Sequence, residues 1–159
     1  MLKDIKSKYK KGVWLMNFID KLRIKNLNMR QYVLGSYDGD FEGVEEIVAK
    51  ARLKITYNGG VELQFSYGSA FKYETVQTFS WEEIKGFDYR QIKESAGKKT
   101  KYVFENMLYT TKGTLVLRGE YTKGGKMGSN AYTYDGLLMA ATSAKNRINA
   151  CIKLYNKYK

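Results

Sequence analysis

Histidine and proline are absent from this chain of 159 residues, and cysteine occurs once, as Cys151. Histidine is the usual general base near neutral pH, so its absence excludes Ser-His-Asp and Cys-His catalytic machinery. Zinc sites built from cysteine and histidine are excluded too, because one sulfur ligand remains. We therefore expect a protein that is not an enzyme and that uses neither a cofactor nor a metal.

The single cysteine also rules out an intrachain disulfide, which fits a reducing compartment. The longest apolar run, residues 13–16, is far too short to span a bilayer, and no secretory signal pattern precedes it. We therefore predict a cytoplasmic protein without a transmembrane segment, or one that is peripheral to a membrane. Cys151 falls on an apolar stripe of the last predicted helix, so we expect a buried thiol and not a nucleophile.

Charge is distributed unevenly along the chain. Residues 1–30 hold nine basic and two acidic side chains, residues 31–97 hold seven and eleven, and residues 98–159 hold twelve and three. Two basic ends thus flank an acidic middle, which favours an anionic partner such as nucleic acid, a lipid surface or an acidic protein. The alternative is a lysine-rich surface that only keeps the protein in solution.

The first basic end, residues 1–30, has helical apolar spacing over residues 2–27, and Gly12 is predicted to separate two short helical pieces. Such a basic amphipathic segment can lie on an anionic membrane. The alternative, which we favour, is a helix packed across the open end of a barrel. The lysines on the polar side of its first part are Lys3, Lys6, Lys8, Lys10 and Lys11.

Residues 31–159 form the second unit, and their middle is rich in predicted strands. Apolar and polar residues alternate over residues 51–57 and again over 61–67, with Asn58-Gly59-Gly60 between them. Two such runs joined by an Asn-Gly turn predict a β-hairpin. We predict that Trp81 and Ile84 point inward and that residues 94–99 form a loop. Further strands are predicted at about 73–79, 87–92, 101–109, 114–121 and 130–134.

An amphipathic helix ends the chain, with Asp135 or Ser143 as its N-cap. The order is thus an N-terminal helical segment, six to eight short antiparallel strands and a C-terminal helix, which is a mainly β (α+β) fold. A single open sheet would leave exposed edges, so we predict a barrel or sandwich closed by the last helix. The predicted inward stripe of that helix is Leu137, Ala141, Ala144, Ile148, Cys151, Ile152 and Tyr155.

Residues 31–158 resemble the bacterial PH-like (GRAM-like) domains. Residues 32–37, Tyr-Val-Leu-Gly-Ser-Tyr, look like their opening strand, and residues 79–87, Phe-Ser-Trp-Glu-Glu-Ile-Lys-Gly-Phe, are similar to their strand with a Trp-x-x-Ile pattern. The helix at about 143–158 stands where theirs closes the barrel. Phosphoinositide binders of the wider superfamily carry basic residues in the first loop. Here that loop, residues 38–46, is acidic, so the resemblance assigns no lipid-binding residue.

The remaining candidate motifs concern the binding of a metal ion or of an anion. Asp38, Asp40 and Glu42 lack the spacing of a Ca²⁺ loop, and residues 124–129 lack the upstream glycine of a phosphate-binding loop. We interpret residues 124–129 as a basic hairpin turn that could contact an anion. The candidate contacts outside the first basic end are Lys98, Lys99, Lys101, Lys123 and Lys126.

The function predicted from the sequence is a non-catalytic module that binds a protein or peptide partner. The alternative is an anion-directed binder of nucleic acid or of an anionic membrane surface, of the kind that a phage or mobile element could encode to act on a host factor. Tyrosines interleave with lysines near residues 109–112, 121–123 and 132–134. Single-stranded nucleic acid is held by such combinations of stacking and cationic contacts, although alternation in a tyrosine-rich barrel produces the same pattern.

Overall fold

Seven antiparallel strands and two helices make up the part of the chain that the computed structural model describes, residues 18–26, 28–68, 72–123 and 133–159. The fold is therefore mainly β, as predicted. The elements in chain order are α1 (Phe18–Asn26), β1 (Arg30–Tyr37), β2 (Val48–Thr56), β3 (Gly60–Ser66), β4 (Tyr73–Phe79), β5 (Ile84–Ala96), β6 (Lys99–Thr110), β7 (Gly113–Lys123) and α2 (Tyr134–Lys157).

The strands form one sheet in the order β4-β3-β2-β1-β7-β6-β5. The first and last strands of the chain meet at a single paired position, Ser36 opposite Arg118. The buried amide of Asn106 supports this junction, since its Nδ2 lies 3.3 Å from the Leu34 carbonyl oxygen and 3.2 Å from that of Leu117. β4 and β5 do not pair, so the sheet is open, and of the two predicted alternatives the closed barrel was wrong.

The hairpin of β2 and β3 confirms the strongest local prediction. Thr56 pairs with Gly60, and the inward side chains of both strands are buried. Tyr67 departs from the predicted alternation, because β3 ends at Ser66 and the Tyr67 side chain is exposed. Its hydroxyl instead donates a hydrogen bond to the carboxylate of Glu46 at 2.6 Å.

Helix α2 begins earlier than either predicted cap. Thr133 is the N-cap, and its hydroxyl accepts a hydrogen bond from the Gly136 amide at 3.0 Å. Tyr134, predicted at the end of a strand, is therefore helical, and residues 130–132 lie outside the described residues. The buried stripe of α2 follows the predicted spacing, with Leu154 added, whereas Ile152 and Tyr155 are half-buried. The buried residues are Leu137, Ala141, Ala144, Ile148, Cys151 and Leu154.

Two predicted boundaries around β5 were wrong. Residues 94–99 were predicted as a loop, but they form the end of β5, a two-residue turn and the start of β6. Their polar side chains, which suggested a loop, stand on paired strands. Glu83 falls within residues 79–87, which the resemblance predicts as a strand, but it lies in a turn. Its carboxylate accepts hydrogen bonds there from the amide and hydroxyl of Ser80. Burial acts to raise the pKa of Glu83, but these bonds and the Lys112 ammonium outweigh it and hold the pKa below its ordinary value.

Candidate functional site

The tip of the β5–β6 hairpin carries three of the predicted binding lysines. Lys98 and Lys99 are exposed at the turn, and neither forms an ion pair within the described parts of the chain. Lys101 is different, because its ammonium lies 3.1 Å from the Glu120 carboxylate on β7. The structure thus leaves two of these three cations available to a partner.

The backbone of Lys123, another of the predicted binding lysines, comes close to this hairpin. It ends β7, and its backbone lies opposite Thr100 of β6. Lys126 and the five predicted lysines between Lys3 and Lys11 lie outside the described residues, so their contribution stays a prediction. Sequence reasoning missed Lys93, which is exposed and lies opposite Tyr102 in the ladder. The period-two pattern of an extended β5 would have placed it there.

We call the surface formed by Lys93, Lys98, Lys99 and the end of β7 the basic hairpin end. Four aromatic rings pack beside it, where α2 begins. Tyr134 of α2 lies 5.4 Å from the Tyr102 ring and 5.5 Å from the Phe104 ring, measured between centroids. Tyr102 also stacks on Tyr121 at 6.3 Å. Tyr121 and Tyr134 also meet edge to face, with their centroids 6.4 Å apart, so both rings are engaged in packing α2 onto the sheet.

The arginines on the outer face of β5–β7 are neutralised within the sheet. The Glu105 carboxylate, which is buried, lies 2.7 Å from Arg90 Nε and 3.3 Å from Arg118 Nη2. Arg118 also reaches Asp38, at 3.7 Å. Because each guanidinium has an acidic partner, this face offers less free positive charge than its composition indicates.

Three of the four cations of α2 fasten the helix to its neighbours. Lys145 pairs with Asp88 at 3.0 Å, Arg147 donates to the Tyr32 hydroxyl at 3.0 Å, and Lys157 pairs with Asp20 at 2.6 Å. The 24 residues of α2 correspond to a length of about 36 Å. The basic hairpin end lies at the start of this helix and α1 lies at its end, so the basic regions of the described chain do not converge on one face.

A cavity of about 660 Å³ opens beside the β2–β3 turn. Tyr57 is the only titratable side chain among the described residues that line it, and burial raises the pKa of that phenol to about 12. None of these described lining residues could therefore exchange a proton near neutral pH. Among the described residues, no group of three or more cysteine, aspartate and glutamate side chains could hold a metal ion. The lining residues are Asn28, Met29, Thr56, Tyr57, Asn58 and Gly59.

Cys151 is buried in the core, and burial raises the pKa of its thiol to about 12. Because the thiolate is the reactive form, we expect Cys151 to react with a thiol reagent at least about 100-fold more slowly in the native protein than in denaturant at pH 8. A spectrophotometric thiol titration with and without guanidinium measures this ratio. A native rate within tenfold of the denatured rate would show that the thiol is accessible.

Comparison of the chain with protein-family models, with curated proteins and with solved structures finds no match in any of the three. Neither described helix is both long and apolar enough to cross a lipid bilayer.

Proposed function

We propose that this chain is a non-catalytic interaction module of PH-like fold that binds a protein or peptide partner. Three features support the PH-like assignment. Strands β1 to β4 and strands β5 to β7 are joined where β1 meets β7. The C-terminal helix packs on the sheet, and Trp81 is buried in the turn after β4. The proposed partner adds to the sheet as a further strand.

The observation that carries this proposal is the free edge of β5. Among the described residues this strand pairs only with β6, and its register is regular from Gly86 to Ala96. In an antiparallel ladder, every second residue turns its amide and carbonyl away from the neighbour, so one side of β5 can accept an extended peptide. The other edge strand is less suitable, because a register shift at Val76 interrupts β4, and bulges disrupt pairing.

Charge defines the kind of peptide. The Asp88–Lys145 ion pair ties the first part of β5 to α2, so the added strand belongs along residues 90–96. Residues 90–99 carry four basic side chains and one acid, Glu94. Arg90 is paired with Glu105, so the positive charge left on this stretch is that of Lys93, Lys98 and Lys99. Because complementary charge favours and orients association, the proposed partner is an extended segment with acidic side chains.

Peptides selected on the full chain from a random display library test the proposal. We expect selected peptides to be rich in Asp, Glu and β-branched residues. Hydrogen exchange read by NMR should then show new protection at every second amide of residues 90–96, since only those amides face an added strand. Protection without this alternation would contradict strand addition.

Charge reversal supplies the matched control. Lys98→Glu with Lys99→Glu should weaken peptide binding by about tenfold or more at low salt, because both ammonium groups flank the proposed strand. Lys153→Glu with Lys159→Glu makes the same charge change on exposed residues at the far end of α2 and should leave affinity within about twofold. Equal losses in the two variants would mean that net charge, and not the hairpin, governs binding.

The second candidate is a polyanion such as nucleic acid bound at the same hairpin. The absence of ion pairs at Lys98 and Lys99 within the described chain favours it. It predicts a steep fall of affinity with salt and no alternating protection along β5. A flat response between low and physiological salt would contradict this candidate.

A further inference from the structure

Three apolar side chains of helix α1 point outward, and its one acid points inward. Phe18, Ile19 and Leu22 are 75%, 61% and 47% exposed, whereas Asp20 is 1% exposed. At 3.6 residues per turn, the three apolar side chains share an arc of about 100° and Asp20 lies opposite them. A surface helix ordinarily buries its apolar side, so the orientation of α1 needs another cause.

The contacts of Asp20 supply that cause. Its carboxylate lies 2.6 Å from Lys157 Nζ and is hydrogen-bonded by the Tyr158 hydroxyl, and Arg23 lies 3.5 Å from its other oxygen. The hydrogen bonds from Lys157 and Tyr158 hold the pKa of Asp20 below its ordinary value, so the acid stays ionised. We call the contact of Asp20 with Lys157 and Tyr158 the Asp20 clasp. It fixes α1 on the end of α2 with its apolar arc facing away.

The chemistry around the apolar arc is cationic. Lys21 and Arg23 are exposed on α1, and the clasp removes the helix's acid from the outer surface. In sequence, the 17 residues before α1 hold five lysines and one acid, together with the apolar run at 13–16. An apolar arc flanked by cations and aromatic residues is typical of a helix that lies in the headgroup layer of an anionic bilayer.

We propose that the outward face of α1, formed by Phe18, Ile19 and Leu22, contacts the surface of an anionic lipid bilayer. A second copy of the chain fits this face less well, because association would bring together two segments that each carry nine basic and two acidic side chains over residues 1–30. The surface lies at the opposite end of α2 from β5, so this inference goes beyond the peptide-binding proposal and is independent of it.

Cosedimentation of the full chain with sucrose-loaded vesicles tests the inference. We expect binding to phosphatidylcholine vesicles containing about 30% phosphatidylserine and little binding to vesicles of phosphatidylcholine alone, since surface potential and apolar insertion act together. Phe18→Ser with Leu22→Ser should lower the partition coefficient at least about tenfold, because two large side chains no longer insert.

Ile47→Ser with Met139→Ser is the matched control, since both side chains lie outside α1 and are more than two-thirds exposed, at 77% and 69%. This control should bind like the parent chain, and circular dichroism should show both variants folded. The inference is overturned if anionic vesicles bind neither the parent chain nor the Ile47/Met139 control. It is also overturned if the Phe18/Leu22 variant and the control lose binding equally. It is also overturned if the Phe18/Leu22 variant changes only a concentration-dependent dimer. Peptide binding at β5 should be unaffected in all of these proteins.

Discussion

Gly35→Ala is expected to destabilise the fold by more than about 3 kcal/mol, an effect that a single substitution seldom reaches. Gly35 has a φ of +126°, a conformation that side-chain-bearing residues rarely adopt. A Cβ atom added there would lie 1.9 Å from the Arg118 carbonyl oxygen, which is backbone and cannot swing aside. Relieving that clash would separate β1 from β7 at the one position where they pair.

Urea denaturation of Gly35→Ala beside Gly43→Ala measures the effect. Gly43 has a φ of +87°, and an added Cβ would meet nothing within 4 Å. The control should therefore lose only the cost of the backbone conformation, about 1–2 kcal/mol. A Gly35→Ala protein that does not fold beside a folded Gly43→Ala would agree with the prediction. Equal losses would mean that backbone conformation alone, and not the β1–β7 approach, explains the cost.

The local elements could be predicted from the sequence because the residue patterns that specify them span only short stretches of the chain. The hairpin of β2 and β3 follows from two alternating runs and an Asn-Gly turn, and the buried side of α2 follows from spacing of three and four residues. Trp81 and Ile84 are buried as predicted. Each of these features depends on residues that are close together in the chain.

The open edge of the sheet could not be predicted from the sequence, because it depends on which strands, far apart in the chain, pair with each other. Nothing near Ser36 or Arg118 marks them as the position where the first and last strands meet. Burying side chains in a closed barrel and in an open sheet covered by a helix requires the same alternating pattern. The sequence therefore predicted strands and a covering helix, while the free edge of β5 emerged only from the pairing.

The candidate site was only partly predictable for a similar reason. Lys98 and Lys99 were singled out by charge and stand exposed at a turn. Lys101, Lys145 and Lys157 belong to basic stretches as well, but each has an acidic partner on another element. Counting charges along the sequence gives their total but not the distances between them, so ion pairs between different elements could not be predicted. The inward position of Asp20 was hidden in the same way.

Trp81→Ala is expected to cost about 3–5 kcal/mol, the usual range for removing a buried indole. Trp81 is 6% exposed and lies in the turn between β4 and β5, the two strands that do not pair. Its indole N–H donates to the Tyr57 carbonyl oxygen at 2.8 Å, so it also ties this turn to the turn after β2. Loss of the ring would leave a cavity where the strands themselves give no support.

Trp81→Phe separates the two contributions of this side chain. It keeps most of the apolar volume and removes the indole donor, so we expect a smaller cost of about 1–2 kcal/mol. Guanidinium denaturation of both variants gives the two values, and Met139→Ala, an exposed position on α2, should change stability by less than about 0.5 kcal/mol. A Phe variant as unstable as the Ala variant would mean that the hydrogen bond to Tyr57 dominates. A loss below about 1 kcal/mol in Trp81→Ala would mean that the gap between β4 and β5 is sealed by other residues, with α2 the first candidate, because Leu154 belongs to the same core cluster as Trp81.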